Sequence, residues 1–199
     1  MPTQNLGPHD HTSPFIWCAA IICAVLAVVV TITGIVVSLG YLTMRPKVPQ
    51  IRVTSAQLNT IYFDQTSLLT VQVSVVIRAE NGNAKARANF YEMSFGLTFI
   101  SGQRIAILVA EPFVVNANSS VDFNYVYQSP PIPLDPEEAE AVSLSLRQNV
   151  INFELKGTTR TRWRVGLIGS IKFWLHLDCQ LMLPVDGTRI FPRCSSRST

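Results

Sequence analysis

The chain has 199 residues, 48% of them hydrophobic and only 15% charged, with a formal net charge of +3. So apolar a balance excludes a disordered polymer, and 16 Lys and Arg scattered along the sequence give no concentrated basic surface for nucleic acid.

The charges are unevenly placed. Asp10 is the last ionised side chain before a long apolar block, Phe15 to Met44, and Arg45 is the first after it. About 20 apolar residues cross the hydrocarbon layer as a helix, at ~1.5 Å per residue. The block predicts a short tail over 1–14, a single transmembrane segment over 15–44 with its span from Phe15 to Leu42, and one domain over 45–199. The lipid bilayer is thus the first expected partner. A core helix of this length would carry a polar face. A signal peptide has an apolar region of ~7–15 residues behind a basic start, and this tail has no Lys or Arg. A small-x-small step at Ser38-Leu39-Gly40 is the feature that a cleaved signal would share. Trp17 and Tyr41 lie near the two ends, where amphipathic rings favour the head-group layer. Cys18 and Cys23 read as small apolar residues, Cys18 being shallow enough for acylation. Gly34 and Ser38 make a small-xxx-small pair, a weak pointer to a homo-oligomer.

Past Pro49 the period becomes two, as in strands with one buried face. Leu69, Val71, Val73, Val75 and Ile77 alternate up to a turn at Glu80-Asn81-Gly82-Asn83, where Asn-Gly tolerates positive φ. Tyr91, Met93, Phe95, Leu97 and Phe99 alternate next, followed by a short apolar strand from Arg104 to Ala110. Val121, Phe123, Tyr125 and Tyr127 give another, closed by Ser129-Pro130-Pro131. Asp135 before Pro136-Glu137-Glu138 is a helix start, for an acidic N-cap, Pro at the first helical position and early acids all suit it. A short crossover helix from Pro136 to about Arg147 is expected. Ile151, Phe153 and Leu155 lead a strand to Val165, and the alternation from Ile171 to Leu183 makes the last long one. Six or seven strands joined by short turns predict an all-β, antiparallel sandwich.

Few residues suit chemistry. His9 and His11 lie in the tail, and His176 falls on the polar side of its strand. Ser170 and Asp178 near His176 do not have the spacing of a nucleophile, base and orienting group, so no catalytic residue, no metal site and no cofactor are expected. Cys179 and Cys194 are the two cysteines of the domain. Bridged, they would pin the C-terminal segment onto the sheet in an oxidising compartment; reduced, they would be cytosolic thiols. Asn118-Ser119-Ser120 is the one N-glycosylation sequon. Bridge and sequon favour an extracytoplasmic domain. Arg45, Lys47 and Arg52 after the span favour a cytosolic one, since positive flanks stay inside. Arg160, Arg162 and Arg164 share a strand face opposite Trp163 and Val165. They suit anionic lipid heads or acidic wall polymers, or more plainly a solvated face that discourages edge pairing.

Taken in order, these residues resemble the plant NDR/harpin-induced-like membrane proteins with a late-embryogenesis-abundant group-two domain. The match runs from Arg45-Pro46-Lys47-Val48-Pro49, through Asn81-Gly82-Asn83 and Phe90-Tyr91-Glu92, to Arg162-Trp163-Arg164-Val165-Gly166, Ser170, Cys179 and Cys194. The family pattern has Asn-Pro-Asn at the first of these turns and Asp where Glu92 stands. The resemblance implies a seven-stranded fibronectin-III-like sandwich, an outside domain at the plasma membrane or plasmodesmata, and a non-enzymatic role in defence or stress responses. Expected partners are unidentified membrane proteins or cell-wall polymers. A membrane-proximal lipid-binding module is the alternative.

Overall fold

In a computed structural model, residues 14–44, 47–99, 102–165 and 169–199 are described, with the backbone alone at 14, 41–44 and 165. The chain divides into two compact units, Met1–Arg45 and Pro46–Thr199. The tail residues His9 and His11, with Arg45, Pro46 and Gly166, lie outside the described residues, and so does the side chain of Tyr41.

In the first unit a helix, α1, runs over Pro14–Met44. Within it Phe15–Gly40 is long and apolar enough to cross a membrane. Side chains from Phe15 to Leu39 are exposed on every side, Trp17, Cys18 and Cys23 among them, so no face is kept for a protein core. The two threonines of the span donate back along the helix, Thr31 Oγ1 to the Ala27 carbonyl and Thr33 Oγ1 to that of Val29, at 2.7 Å each. Their hydroxyls therefore need no outside partner, which suits a hydrocarbon surrounding.

The second unit contains, in chain order, β1 (Gln50–Phe63), β2 (Leu68–Asn81), β3 (Ala88–Phe99), β4 (Arg104–Ala110), β5 (Phe113–Val115), β6 (Ser119–Gln128), β7 (Ile132–Pro133), α2 (Pro136–Arg147), β8 (Val150–Val165), β9 (Gly169–Pro184) and β10 (Ser195–Ser198). One sheet has the order β1-β2-β6, with β7 beside β2; the other has β10-β9-β8-β3-β4, with β5 beside β3. All pairings are antiparallel. Among the described residues seven strands have seven or more residues, the expected number for the sandwich. α2 carries the chain from one sheet to the other. A full capping box starts it: Asp135 accepts from the Glu138 N–H, and Glu138 accepts from that of Asp135.

The inner faces follow the two-residue period. Leu69 to Ala79 on β2 and Leu175 to Leu183 on β9 are buried at every second position. Phe90, Phe95, Leu97, Leu155 and Ile151 from the second sheet meet Ile51, Leu58, Leu69 and Ile77 from the first. Each such side chain contributes roughly 1.5–3 kcal/mol by leaving water. Between β5 and β6 the sandwich closes on aromatic contacts: Phe113 lies 5.2 Å from Phe90 and 4.5 Å from Phe123. The Tyr125 hydroxyl then donates to the Val109 carbonyl at 2.9 Å. Burial raises the pKa of that phenol.

Three details depart from the sequence reading. β1 lies just past Pro49, where the sequence predicts two-residue alternation to begin, but register shifts at Val53/Ser55 and Leu58/Thr60 break its period, so the first strand with named positions is the one at Leu69. β3 also changes register between Tyr91 and Ser94, so Phe90 and Met93 enter the core while Tyr91 turns outward. Finally, Asn81-Gly82 joins strands of different sheets, and neither residue takes a positive φ. Their value lies in side chains. The Asn81 amide donates to the carbonyls of Ala86, Val115 and Asn116, and Asn83 is bonded both to Asn81 and to the backbone of Lys47. Both asparagines are buried, so these bonds replace the water they lost.

Gly157 faces Phe95 across the β3–β8 ladder, where a Cβ would fall on the Ser94 carbonyl and the Phe95 backbone. Those atoms cannot swing aside. Gly157→Ala should therefore destabilise the domain by about 1–3 kcal/mol. Thermal loss of β-sheet circular dichroism measures this, and an unchanged midpoint would contradict so close an approach.

Candidate functional site

The outer face of β8 and β9 gathers the expected basic residues. Arg160, Arg162 and Arg164 alternate along β8 with buried Thr161 and Trp163. The β3 bulge adds an aromatic: three steps on β3, from Tyr91 to Ser94, oppose two on β8, and Glu92 absorbs the mismatch at φ 54°. Tyr91 and Trp174 are the cross-strand neighbours of Arg160 on its two sides. The Arg160 guanidinium carbon lies 5.7 Å from the Tyr91 ring centroid and 5.3 Å from that of Trp174. Its Nη1 is 3.4 Å from Glu92 Oε1. Arg162 stands 6.0 Å from the same Tyr91 ring and directly opposite Lys172 of β9.

Like charges directly opposite in a sheet repel, and elsewhere this domain compensates them. On the outer face of the first sheet Arg52 stands opposite Arg78, yet Arg52 pairs with Glu80 at 3.0 Å. Arg78 grips Asp122 with two bonds of 2.6 Å. The hydrogen bond from Arg78 holds the Asp122 carboxyl below the usual carboxylate range, and in turn raises the guanidinium. Further down β8, Lys156 lies between Glu154 and Asp178, and the bond to Glu154 raises its pKa. Among the described residues, Arg162, Arg164 and Lys172 have no acidic partner.

Cys179 and Cys194 form a disulfide with Cα atoms 4.5 Å apart. It holds the segment before β10 against β9, and Ile190 bonds Ala56 of β1 on the way. Asn118 stands exposed in the turn between β5 and β6, at φ 48°, with its N–H donated to the Asn83 carbonyl. His176 is exposed and within 3.0 Å of Thr199 Oγ1; Asp178 on the same face turns to Lys156. Among the described residues no three His, Cys, Asp or Glu converge as a metal site. A hollow of about 340 Å³ lies beside Tyr91, Phe113, Val114 and Arg162, and one of about 310 Å³ beside Phe99, Phe153 and Met182. Tyr91 Oη, Thr161 Oγ1 and Trp163 Nε1 are buried with no hydrogen-bond partner among the described residues.

No protein-family model matches the chain. A curated relative does: NDR1/HIN1-like protein 12 of Arabidopsis thaliana is 23% identical over 185 residues, covering 92% of this chain and 87% of that protein. The chain is similar to the NDR1/HIN1-like proteins along nearly its whole length. The residues that carry the NDR1/HIN1-like resemblance fall on distinct tasks in the fold. Asn81 and Asn83 tie the chain's entry at Lys47 to the β2–β3 connection. Glu92 sits at the bulge, Arg162 and Arg164 face outward around the buried Trp163, and Cys179 with Cys194 closes the C-terminal segment.

Sequence reasoning found the arginines and missed Tyr91, Trp174 and Lys172. Lys172 and Trp174 share the parity of His176, so the β9 alternation already carried their side. Tyr91 gave no such signal, because a bulge reverses parity without leaving a mark in composition.

Two outcomes follow for the domain. Hydrogen bonds from Arg78, and from the Leu68 N–H and Thr66, hold Asp122 and Asp64 below the usual carboxylate range. Their contribution is complete above the ordinary carboxylate pKa and is lost as pH falls through the depressed values. Melting temperature should drop over that acid range, less steeply in Asp122→Asn; equal slopes would refute the pairing. Reducing the disulfide, which closes 15 residues, should cost roughly 3 kcal/mol on the chain-entropy account. Comparing melts with and without dithiothreitol, in parent and Cys194→Ser, measures it.

Proposed function

We propose that the chain is a single-pass membrane protein whose β-sandwich, of the late-embryogenesis-abundant group-two type, binds partners at the plant cell surface in defence or stress responses, without catalysis. The observation that carries this reading is the uncompensated Arg162–Lys172 face on a domain that follows an apolar, charge-free helix. The similarity to NDR1/HIN1-like protein 12, which extends across both units, supports the defence or stress setting. Among the described residues His176 is bonded to Thr199 Oγ1 and to no base or orienting group, which supports a binding rather than a chemical role.

For orientation, the Cys179–Cys194 bridge and the exposed Asn118 support an extracytoplasmic domain. The flank at Lys47 and Arg52 argues the other way. The bridge weighs more, because a structural disulfide needs an oxidising compartment, whereas flanking charge is a statistical bias. A plasma-membrane location, with plasmodesmal association, accords with this orientation. Partners are membrane proteins or wall polymers that meet loops and outer faces. The space between the sheets is filled by side chains such as Phe90, Phe95 and Ile77, so a surface that binds is preferred over a cavity that takes up an acyl chain.

Membranes expressing the chain test the reading. Alkaline carbonate should leave it in the pellet, and endoglycosidase should raise its gel mobility in the parent but not in Asn118→Gln. A chain washed into the supernatant, or a sequon never glycosylated while the tail alone is open to external protease, would overturn the anchor or the orientation respectively.

A further inference from the structure

We propose that the outer face of β8 and β9, where Arg162 and Arg164 on one strand meet Lys172 on the other beside Tyr91 and Trp174, docks on the anionic head groups of the bilayer that α1 crosses. This rests on the membrane anchor proposed above, not on the orientation argued there, and adds the surface used and the chemistry it contacts in whichever leaflet faces the domain.

The first support is the uncompensated repulsion. Both outer faces set two cations directly opposite each other, Arg52 with Arg78 and Arg162 with Lys172. The first pair has Glu80 and Asp122. The second pair has no acid among the described residues, and Arg164 extends it by one more step of roughly 6.6 Å along the strand. A multivalent anionic surface removes that repulsion. A single exposed cation would have no such gain, since water screens it.

The second support is position. The β8–β9 hairpin end belongs to the end of the sandwich that the chain enters. Lys47 is bonded through its backbone to Asn83, and the Asn81 amide holds Ala86 and Val115. Ala88, beside that knot, stands opposite Trp163, the residue between Arg162 and Arg164. Only Arg45 and Pro46 separate Lys47 from the last residue of α1. At the end that the chain enters, Glu80 and Asp122 are paired with Arg52 and Arg78, while a further group of acids lies at the other end. Asp64 lies in the β1–β2 turn, and Leu134, bonded to Ser67 of that turn, leads into Asp135, Glu137, Glu138 and Glu140. An anionic surface attracts the end of the sandwich that carries Arg162, Arg164 and Lys172 and repels the acidic end.

The third support is the character of the hairpin's own sides. Past the core, β9 exposes Ile171 on the inner side, 48% accessible, while Lys172 and Trp174 face outward. Cations, an indole and an aliphatic side chain on one pair of strands suit the boundary between head groups and water. Arg160 is already engaged by Tyr91, Trp174 and Glu92. It fixes the aromatic pair, and leaves Arg162, Arg164 and Lys172 for the lipid phosphates.

The test uses the full-length chain, carrying Trp17→Phe, reconstituted into vesicles with a trace of dansyl-labelled head groups. The vesicles are phosphatidylcholine alone, or contain about a third phosphatidylinositol. Energy transfer to dansyl from Trp174 and Trp163, both on the β8–β9 pair, reads docking. Transfer should rise with phosphatidylinositol and fall with added salt. Lys172→Glu, and Arg162→Gln combined with Arg164→Gln, each change the local charge by two. Each should lower the docked-to-undocked ratio about 25-fold, at roughly fivefold per charge. Lys172→Glu also sets an acid opposite Arg162, so it should melt no lower than the parent, which separates lost docking from lost fold. Arg52→Gln on the first sheet should leave transfer unchanged. Transfer that ignores phosphatidylinositol, or survives both charge variants, overturns the proposal. So does polygalacturonate binding through the same three residues in phosphatidylcholine vesicles when phosphatidylinositol adds nothing, since the face would then serve an acidic glycan. Flat transfer in a chain that carbonate cannot strip overturns this proposal alone; a chain that carbonate strips overturns the membrane anchor with it.

Discussion

Pairing of β8 with β3 on one side and β9 on the other is the constraint from which the rest of the second sheet follows. Sixteen rungs join β8 to β9 without a register shift, so every side assignment on one strand dictates the other. Leu155 opposite Cys179 and Phe153 opposite Leu181 face the core, and the intervening residues face outward. A slip of one residue would invert this arrangement and bury the arginines. The β3 partner is less regular. Its bulge lets Phe90 and Phe95 both reach the core while Tyr91 reaches the outer face, and Thr159 Oγ1 donates to the Tyr91 carbonyl there.

The two outer faces show how electrostatics divides labour in one fold. The first sheet spends its acids locally: Glu80 and Asp122 neutralise Arg52 and Arg78, and the result is a closed network on a solvated surface. On the second sheet, among the described residues, the same compensation appears around Lys156 and between Arg160 and Glu92. Toward the hairpin end it stops, although the ladder continues without interruption. Backbone pairing there does not depend on the charged side chains, so the sheet tolerates cations that packing alone would not select. An outer face free of packing demands is where a binding role costs the fold least.

Small polar residues hold together what the core does not. Asn81 and Asn83 tie the chain's entry to two connections, Asp64 closes the β1–β2 turn by accepting from Thr66 and Leu68, and the disulfide fastens the segment before β10. These anchors lie at the ends of strands, where apolar burial fades and backbone groups lose ladder partners. They explain why so few residues outside the strands read as regular in the sequence and are nevertheless held.

Much of this was legible from residue order alone. The apolar block from Phe15, the alternation of β2 and β9, the capped start of α2 and the side of β8 that carries its arginines are local patterns, set by the geometry of one helix or one strand. β1 was not legible, because two bulges scramble its period, and Tyr91 was misassigned for the same reason. Asn81-Gly82 read as a hairpin turn, since its chemistry fits one, but the next strand joined the other sheet. Which cations lack acids, and which aromatics flank Arg160, depends on neighbours brought in from β3 and β9. Such pairings belong to strand register, and register is decided by the whole core at once.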